Sequence, residues 1–174
     1  MPSQAPSASS SPVPPSATCD LAVPNGGPTV AKIVYPGSWY TLAEPAELVC
    51  RYFDPQPITV PTDPTTLQTA VMASISTQAF ADAVTAATDP AKWSVTRQGG
   101  SSIGGTNGTC IDAVALVDGP GITTGMSSFS CLVDVGTAGT VVIRTTGMAA
   151  DSTYRVKIAV VGLMTASSAY QPQP

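Results

Sequence analysis

One segment of the chain has the spacing of a catalytic serine. Residues 100–104 (GSSIG) match the pattern G-x-S-x-G, in which a sharp strand-to-helix turn lifts the serine and a histidine removes its proton. The chain contains no histidine, and residues 105–108 (GTNG) are too rich in glycine to begin a helix. We therefore expect Ser102 to lie in a flexible loop, and a serine hydrolase is the least favoured function.

The four cysteines have the count and spacing of disulfide partners. They are Cys19, Cys50, Cys110 and Cys131. Zinc sites need paired Cys or His ligands, which this chain lacks. Of the three possible pairings, a hairpin over residues 108–135 favours Cys110 with Cys131, directly opposite each other, which leaves Cys19 with Cys50. Because disulfides persist in oxidising compartments, this pairing predicts an extracytoplasmic protein; four reduced, buried thiols in a cytosolic protein are the alternative.

A pair of catalytic carboxylates would have to come from the same hairpin. The cysteine register places Asp112 opposite Phe129 and Asp134 opposite Asn107, so the two carboxylates project from opposite faces of the sheet. We expect no cooperation between them. Asp134 is interpreted as a solvated acid at a strand end, and Asp112 as half-exposed or paired with a cation such as Arg144.

Aromatic side chains form the candidate ligand-binding cluster. Its members are Tyr35, Trp39, Tyr40, Tyr52 and Phe53. Aromatic side chains that line a groove bind apolar or carbohydrate ligands. The alternative is that Trp39 and its neighbours fill the end of the core, as buried aromatic residues commonly do.

The spacing of apolar and turn residues predicts the elements that position these residues. The predicted strands cover residues 32–35, 48–53, 69–75, 93–97, 108–117, 127–135 and 140–146. The predicted helices cover residues 77–87, with the apolar stripe Phe80, Val84 and Ala87, and about 152–168, with the stripe Tyr154, Ile158, Val161 and Met164. Two helices with six or seven mostly antiparallel strands indicate an α+β sandwich.

The chain divides into one domain and two tails. Residues 1–18, mostly Ser, Pro and Ala, predict a disordered linker; residues 19–170 form the domain, and residues 171–174 are a loose end. The chain has neither a signal peptide nor an apolar run of the roughly 20 residues that span a bilayer. We therefore expect a mature, exported region whose only link to a membrane would be a lost N-terminal anchor.

Composition and charge exclude one class of partner. The net charge is −4, and the seven Lys and Arg residues are scattered singly. Nucleic-acid binding requires clustered cations that neutralise phosphates, so that class is excluded. Charged residues make up only 10% of the chain, well below the usual quarter or so. Such a weakly charged surface is typical of exported proteins.

Short motifs resemble the PsbP-like superfamily. YPGSWY, at residues 35–40, resembles its Tyr-Pro-x-x-Trp motif, and the order of elements is similar over residues 30–168. Residues 35–55 and 132–147 most resemble its branch of exported actinobacterial lipoproteins of the LpqN type. The resemblance implies a PsbP-like sandwich, and superfamily members bind unrelated partners on one scaffold. The lipidated cysteine of that branch has no counterpart near the start of this chain.

These patterns together predict a non-catalytic domain of the bacterial cell envelope, secreted or anchored at the surface, that uses no cofactor. Its favoured role is a protein-interaction module with an envelope protein as partner. The alternative is a carrier or binder of an apolar lipid or a glycan; a lipid carrier would need a large internal cavity lined by Leu and Phe.

Overall fold

Two antiparallel sheets and two α-helices make up the fold. The computed structural model describes residues 15–100 and 102–174. Its strands are β1 (Ser16–Ala22), β2 (Thr29–Pro36), β3 (Tyr40–Thr41), β4 (Tyr52–Asp54), β5 (Val71–Ser76), β6 (Trp93–Gly99), β7 (Gly108–Ala115), β8 (Ser127–Asp134), β9 (Thr140–Gly147) and β10 (Ala169–Tyr170). Its α-helices are α1 (Phe80–Ala87) and α2 (Ser152–Ser167), and short 3₁₀ turns cover Ala46–Leu48 and Pro64–Thr66.

The strands form a large sheet and a small one. The large sheet has the order β3-β4-β5-β9-β8-β7-β6, and the small sheet has the order β1-β2-β10. Every strand pair in both sheets is antiparallel. The predicted α+β class, with two helices and two disulfides, is therefore confirmed. The predicted number of strands was too low, because β1 and the two-residue strands β3 and β10 were not recognised.

Both ends of the described chain are attached more firmly than predicted. Strand β1 pairs with β2 from Ser16 opposite Pro36 onward, so residues 16–18, expected in the linker, belong to a sheet. The rest of the predicted linker, residues 1–14, lies outside the described residues. At the other end, the Gln171 amide donates to the Val30 carbonyl at 2.8 Å and the Gln173 amide to the Val135 carbonyl at 3.0 Å. These hydrogen bonds hold the predicted loose end against the domain.

The segment predicted as a strand over residues 48–53 is mostly not a strand. Residues 46–48 form a 3₁₀ turn, and β4 begins only at Tyr52. Between them Cys50 has a φ of +60°, a left-handed conformation that interrupts a strand. The apolar residues that suggested a strand are buried nevertheless: Leu48 and Cys50 both lie in the interior.

The main core lies on one face of the large sheet. Phe53, Ile143 and Val133 project from that face and are fully buried. They meet Leu21, Val30 and Ile33 of the small sheet and Val161 and Met164 of α2. Each such side chain contributes roughly 1.5–3 kcal/mol when it leaves water, so this face accounts for most of the apolar stabilisation.

The other face of the large sheet is covered only in part. Helix α1 packs its predicted stripe, with Phe80 and Val84, against Ile111 and Leu132. Strands β9, β5 and β4 continue the sheet to one side of the contact between α1 and β8, and most of their side chains alternate between buried and half-buried or exposed positions. We call the uncovered surface the open face. Its exposed or half-buried side chains include Tyr40, Tyr52, Met72, Ser74, Arg144 and Ser130.

Candidate functional site

The structure divides the predicted aromatic cluster between two faces. Phe53 is fully buried, and the Tyr35 ring packs on it with ring centroids 5.2 Å apart. Trp39 is half-buried against the same main core. These three residues fill the core. Tyr40, which is 47% exposed, and the half-buried Tyr52 lie on the open face instead.

A row of directly opposed residues crosses the open face from Tyr52. Tyr52 lies opposite Met72, Met72 lies opposite Arg144, and Arg144 lies opposite Ser130. Opposed residues of antiparallel strands share a face and lie close enough to interact. An aromatic ring, a thioether, a guanidinium group and a hydroxyl therefore follow one another across four strands.

Arg144 borders a cavity between α1 and the large sheet. The cavity has a volume of about 240 Å³ and opens to solvent. Its polar lining comes from Ser76, Gln78, Ser128, Ser130 and Arg144, and Trp93 and the alanines of α1 supply much of its apolar lining. The elements β5, α1, β6, β8 and β9, together with the segment between β5 and α1, bring these residues together from distant parts of the sequence.

The Arg144 guanidinium has no anionic partner within the described part of the chain. The ion pairs found there join Lys32 to Asp20 and Lys92 to Asp89, both at 3.8 Å. Burial lowers the pKa of Arg144, while the Tyr52 side chain acts in the opposite direction. An arginine nevertheless stays protonated in proteins, so this half-buried position holds a positive charge that no neighbouring carboxylate offsets.

Arg51, another half-buried arginine, does have a hydrogen-bonding partner. Burial lowers the pKa of Arg51 too, but its guanidinium donates a hydrogen bond to the Ala22 carbonyl at 2.9 Å. Among the described residues, the Arg144 side chain makes no such hydrogen bond. Of these two half-buried arginines, Arg144 is therefore the one whose guanidinium has no hydrogen-bonding partner among the described residues.

The two aspartates of the hairpin lie on opposite faces of the sheet, as predicted. Asp112 lies opposite Phe129, and the Asp134 amide donates to the Asn107 carbonyl at 2.8 Å, so both expected positions are confirmed. The suggested pairing of Asp112 with Arg144 is wrong, because Arg144 lies on the opposite face of the sheet. Burial raises the pKa of Asp112, and the opposed residue Arg97 counteracts this shift.

Ser102 lies in a loop, as its glycine-rich surroundings predict. It is exposed, and the next residues form a tight turn in which the Ile103 amide donates to the Thr106 carbonyl at 2.8 Å. The depression beside Ser102 is lined by Ile103, Gly104, the disulfide-bonded Cys110 and three small residues of α2, none of which can act as a base at neutral pH. Ser101, the neighbouring residue of the motif, lies outside the described residues.

Both predicted disulfides are present. Cys19 of β1 bonds to Cys50, and Cys110 of β7 bonds to Cys131 of β8, its opposed residue. None of the four cysteines is free. Two disulfides in a domain of this size indicate an oxidising, extracytoplasmic environment. Over the described residues, neither α-helix has the length and apolar character needed to cross a membrane.

No protein-family model matches this chain, and no curated protein is significantly similar to it.

Proposed function

We propose that this chain is a non-catalytic, exported domain that recognises a protein partner through the open face of its large sheet. The observation that carries the proposal is the group Tyr40, Tyr52, Met72 and Arg144 on that face. Tyr, Met and Arg are enriched at the centres of protein interfaces, and Tyr and Arg are frequent binding hot spots. Aromatic residues make up only 6% of the chain, so two tyrosines on an uncovered surface stand out.

We also propose that the domain works in the cell envelope. The two disulfides support export, and the cell envelope, with the domain secreted or tethered at the surface, is the compartment that we favour. The resemblance to the PsbP-like superfamily and its lipoprotein branch supports a binding scaffold. This resemblance is used only as support, because proteins that share a fold can have unrelated functions.

The apolar-carrier alternative gains little from the cavities. A lipid carrier needs an enclosed, apolar space, but the five main depressions found along the described residues all open to solvent. Of all Leu and Phe side chains, only Leu132 lines any of the five. A glycan binder stays the second candidate, because Trp93 lines the cavity beside Arg144 together with hydroxyl and amide groups.

Site-specific photocrosslinking tests which face binds the partner. Benzoylphenylalanine in place of Ser74, an exposed residue of the open face, is compared with the same group in place of Val156, which is 62% exposed on α2 across the sheet. Both full-length variants are irradiated in envelope extract from the source organism. We expect one defined protein to be crosslinked at position 74 only.

Matched substitutions complete this test. Tyr40→Ala together with Tyr52→Ala should abolish the crosslink at position 74, because these substitutions remove the aromatic contacts of the open face. Leu163→Ala, at a residue 62% exposed on α2, should leave it unchanged. Equal capture from both positions, or capture from position 156 alone, would contradict the proposal. Capture of a polysaccharide at position 74 would favour the glycan binder.

A further inference from the structure

The cavity beside Arg144 has the donors of a carboxylate site. Ser130 lies opposite Arg144, and Ser128 lies two residues further along the same face of β8. Within the described chain, neither of these serine hydroxyls takes part in a side-chain hydrogen bond. A guanidinium fork presents two parallel N–H donors to a carboxylate, and adjacent hydroxyls can donate to its remaining lone pairs.

The charge inside the cavity has the sign opposite to that of the whole chain. The chain carries a net charge of −4, but the residues that line the cavity include one cation and no acid. A partly desolvated charge without a counter-ion is unfavourable. An anionic group that enters the cavity would offset this cost while displacing water from the apolar walls.

We infer that Arg144, with Ser128 and Ser130, binds the carboxylate of an acidic side chain presented by a protein partner. This inference rests on the proposed function and names the chemistry that the partner offers. A single guanidinium matches the single charge of a carboxylate. A phosphate would bring a second charge close to Ala86 and Ala87, at the negative end of the α1 dipole.

The size of the cavity favours a side chain over a free ligand. Pockets for complete small molecules typically measure about 300–1,000 Å³, whereas this one measures about 240 Å³. The methylene groups of a glutamate would lie against Trp93 and the alanines of α1, which line the same cavity. The rest of the partner would then extend over Tyr52 and Met72 on the open face.

NMR titration of the ¹⁵N-labelled full-length chain tests the inference without the partner. The probe is N-acetylglutamate methylamide, and the control is N-acetylglutamine methylamide, which has the same shape without the charge. We expect saturable shifts of the Arg144 side-chain Nε–H signal and of the Ser130 amide with the glutamate probe. The glutamine probe should bind at least tenfold more weakly.

Three variants locate the response. Arg144→Gln should abolish the shifts, and Ser130→Ala should weaken binding several-fold while leaving the charge in place. Arg97→Gln removes a cation from the opposite face of the sheet and should have no effect. Arg144→Gln should keep the melting temperature or raise it, because it removes a charge without a partner. Equal shifts with both probes, shifts that persist in Arg144→Gln, or tighter binding of sodium sulfate would overturn the inference.

The two proposals fail in different ways. Partner capture at position 74 that is unchanged in Arg144→Gln would leave the proposed function standing and overturn the carboxylate site. Binding of the glutamate probe without any protein captured at position 74 would support the carboxylate site as a chemical feature and overturn its assignment to a protein partner.

Discussion

Two buried tyrosines differ in how their hydroxyl groups are satisfied. The Tyr170 hydroxyl donates to the Thr165 carbonyl at 3.1 Å. The Tyr154 hydroxyl is buried, and no other described residue hydrogen-bonds to it. Burial raises the pKa of both phenols, so both are neutral in the folded protein at ordinary pH.

This difference predicts opposite outcomes for the same substitution. Tyr170→Phe should lower the free energy of unfolding by about 1 kcal/mol, because it leaves the Thr165 carbonyl without its donor. Tyr154→Phe should leave the free energy of unfolding unchanged or raise it, since it removes a polar group that was buried at a cost. Chemical denaturation of the two variants measures both values, and an equal loss in both would contradict the assignment.

Asp112 and Asp118 should influence the pH dependence of stability with opposite signs. Burial raises the pKa of Asp112 despite Arg97, so the folded state holds this proton more tightly than the unfolded state. The stability that this group contributes is fully present below the ordinary pKa of an aspartate. It is lost as the pH rises through the raised pKa of Asp112 in the folded state. Hydrogen bonds from Thr124 lower the pKa of Asp118, so its contribution is present at neutral pH and is lost on acidification.

Replacement by asparagine tests both signs. At pH 7, Asp112→Asn should be more stable than the parent chain, because the cost of burying the charge is removed. Asp118→Asn should be less stable at the same pH, because the charge-assisted hydrogen bonds become weaker. Near pH 3 both differences should shrink. Thermal unfolding at the two pH values measures them, and shifts of the same sign at pH 7 would be inconsistent with this account.

At the scale of elements, each disulfide fixes a different kind of contact. Cys19–Cys50 joins β1 to the turn before β4, across 31 residues, while Cys110–Cys131 joins two neighbouring strands across 21 residues. Loop-closure entropy gives each roughly 3–4 kcal/mol of stabilisation. The strands β7 and β8 are also paired along their whole length, whereas β1 is an edge strand with one neighbour.

Replacing each pair of cysteines by serine should therefore produce distinct local effects. Both double variants should lose about 3–4 kcal/mol of unfolding free energy. Loss of Cys19–Cys50 should also accelerate amide hydrogen exchange in Ser16–Ala22, because this edge strand then keeps only its pairing with β2, the burial of Leu21 and the hydrogen bond from Arg51 to the Ala22 carbonyl. Loss of Cys110–Cys131 should leave the exchange of β7 slow. Hydrogen-exchange mass spectrometry would refute this picture if β1 stayed protected.

The elements that the sequence predicts are those with local signals. Six strands and both helices follow from their apolar spacing, whereas β4 forms only at the end of the segment predicted over residues 48–53. The register of β7 against β8 follows from two cysteines in one hairpin. Strand β1 has only a weak signal: Ala17, Cys19 and Leu21 alternate with polar residues, but residues 16–18 (SAT) continue a low-complexity segment and bury little. Its pairing with β2 satisfies the backbone, a benefit that side-chain spacing does not show.

The candidate site could be predicted only in part. Alternation along β4 would have separated Tyr52 from Phe53, since neighbouring residues of a strand face opposite sides. The pairing of Arg144 with Ser130 belongs to consecutive strands, β8 and β9, and is also within reach of sequence reasoning. The positions of Met72 and Trp93 near Arg144 could not be predicted from the sequence. They depend on β5 lying beside β9 and on α1 folding back over β8.

At the scale of the whole molecule, the large sheet is covered unequally. The small sheet and the 16-residue helix α2 bury one of its faces, while the eight-residue helix α1 covers only part of the other. The first face provides stability, and the second leaves Tyr40, Tyr52 and Arg144 exposed or half-buried, where the proposed partner would bind.

Two disulfides hold the domain in this arrangement, and the proposed export depends on them. The most direct test is mass spectrometry of the protein isolated from its source, alkylated before any reduction and then digested. We expect two linked pairs, Cys19 with Cys50 and Cys110 with Cys131, and no alkylated cysteine. Four alkylated cysteines in the native protein would contradict both the oxidising compartment and the cross-link that stabilises the β7–β8 hairpin.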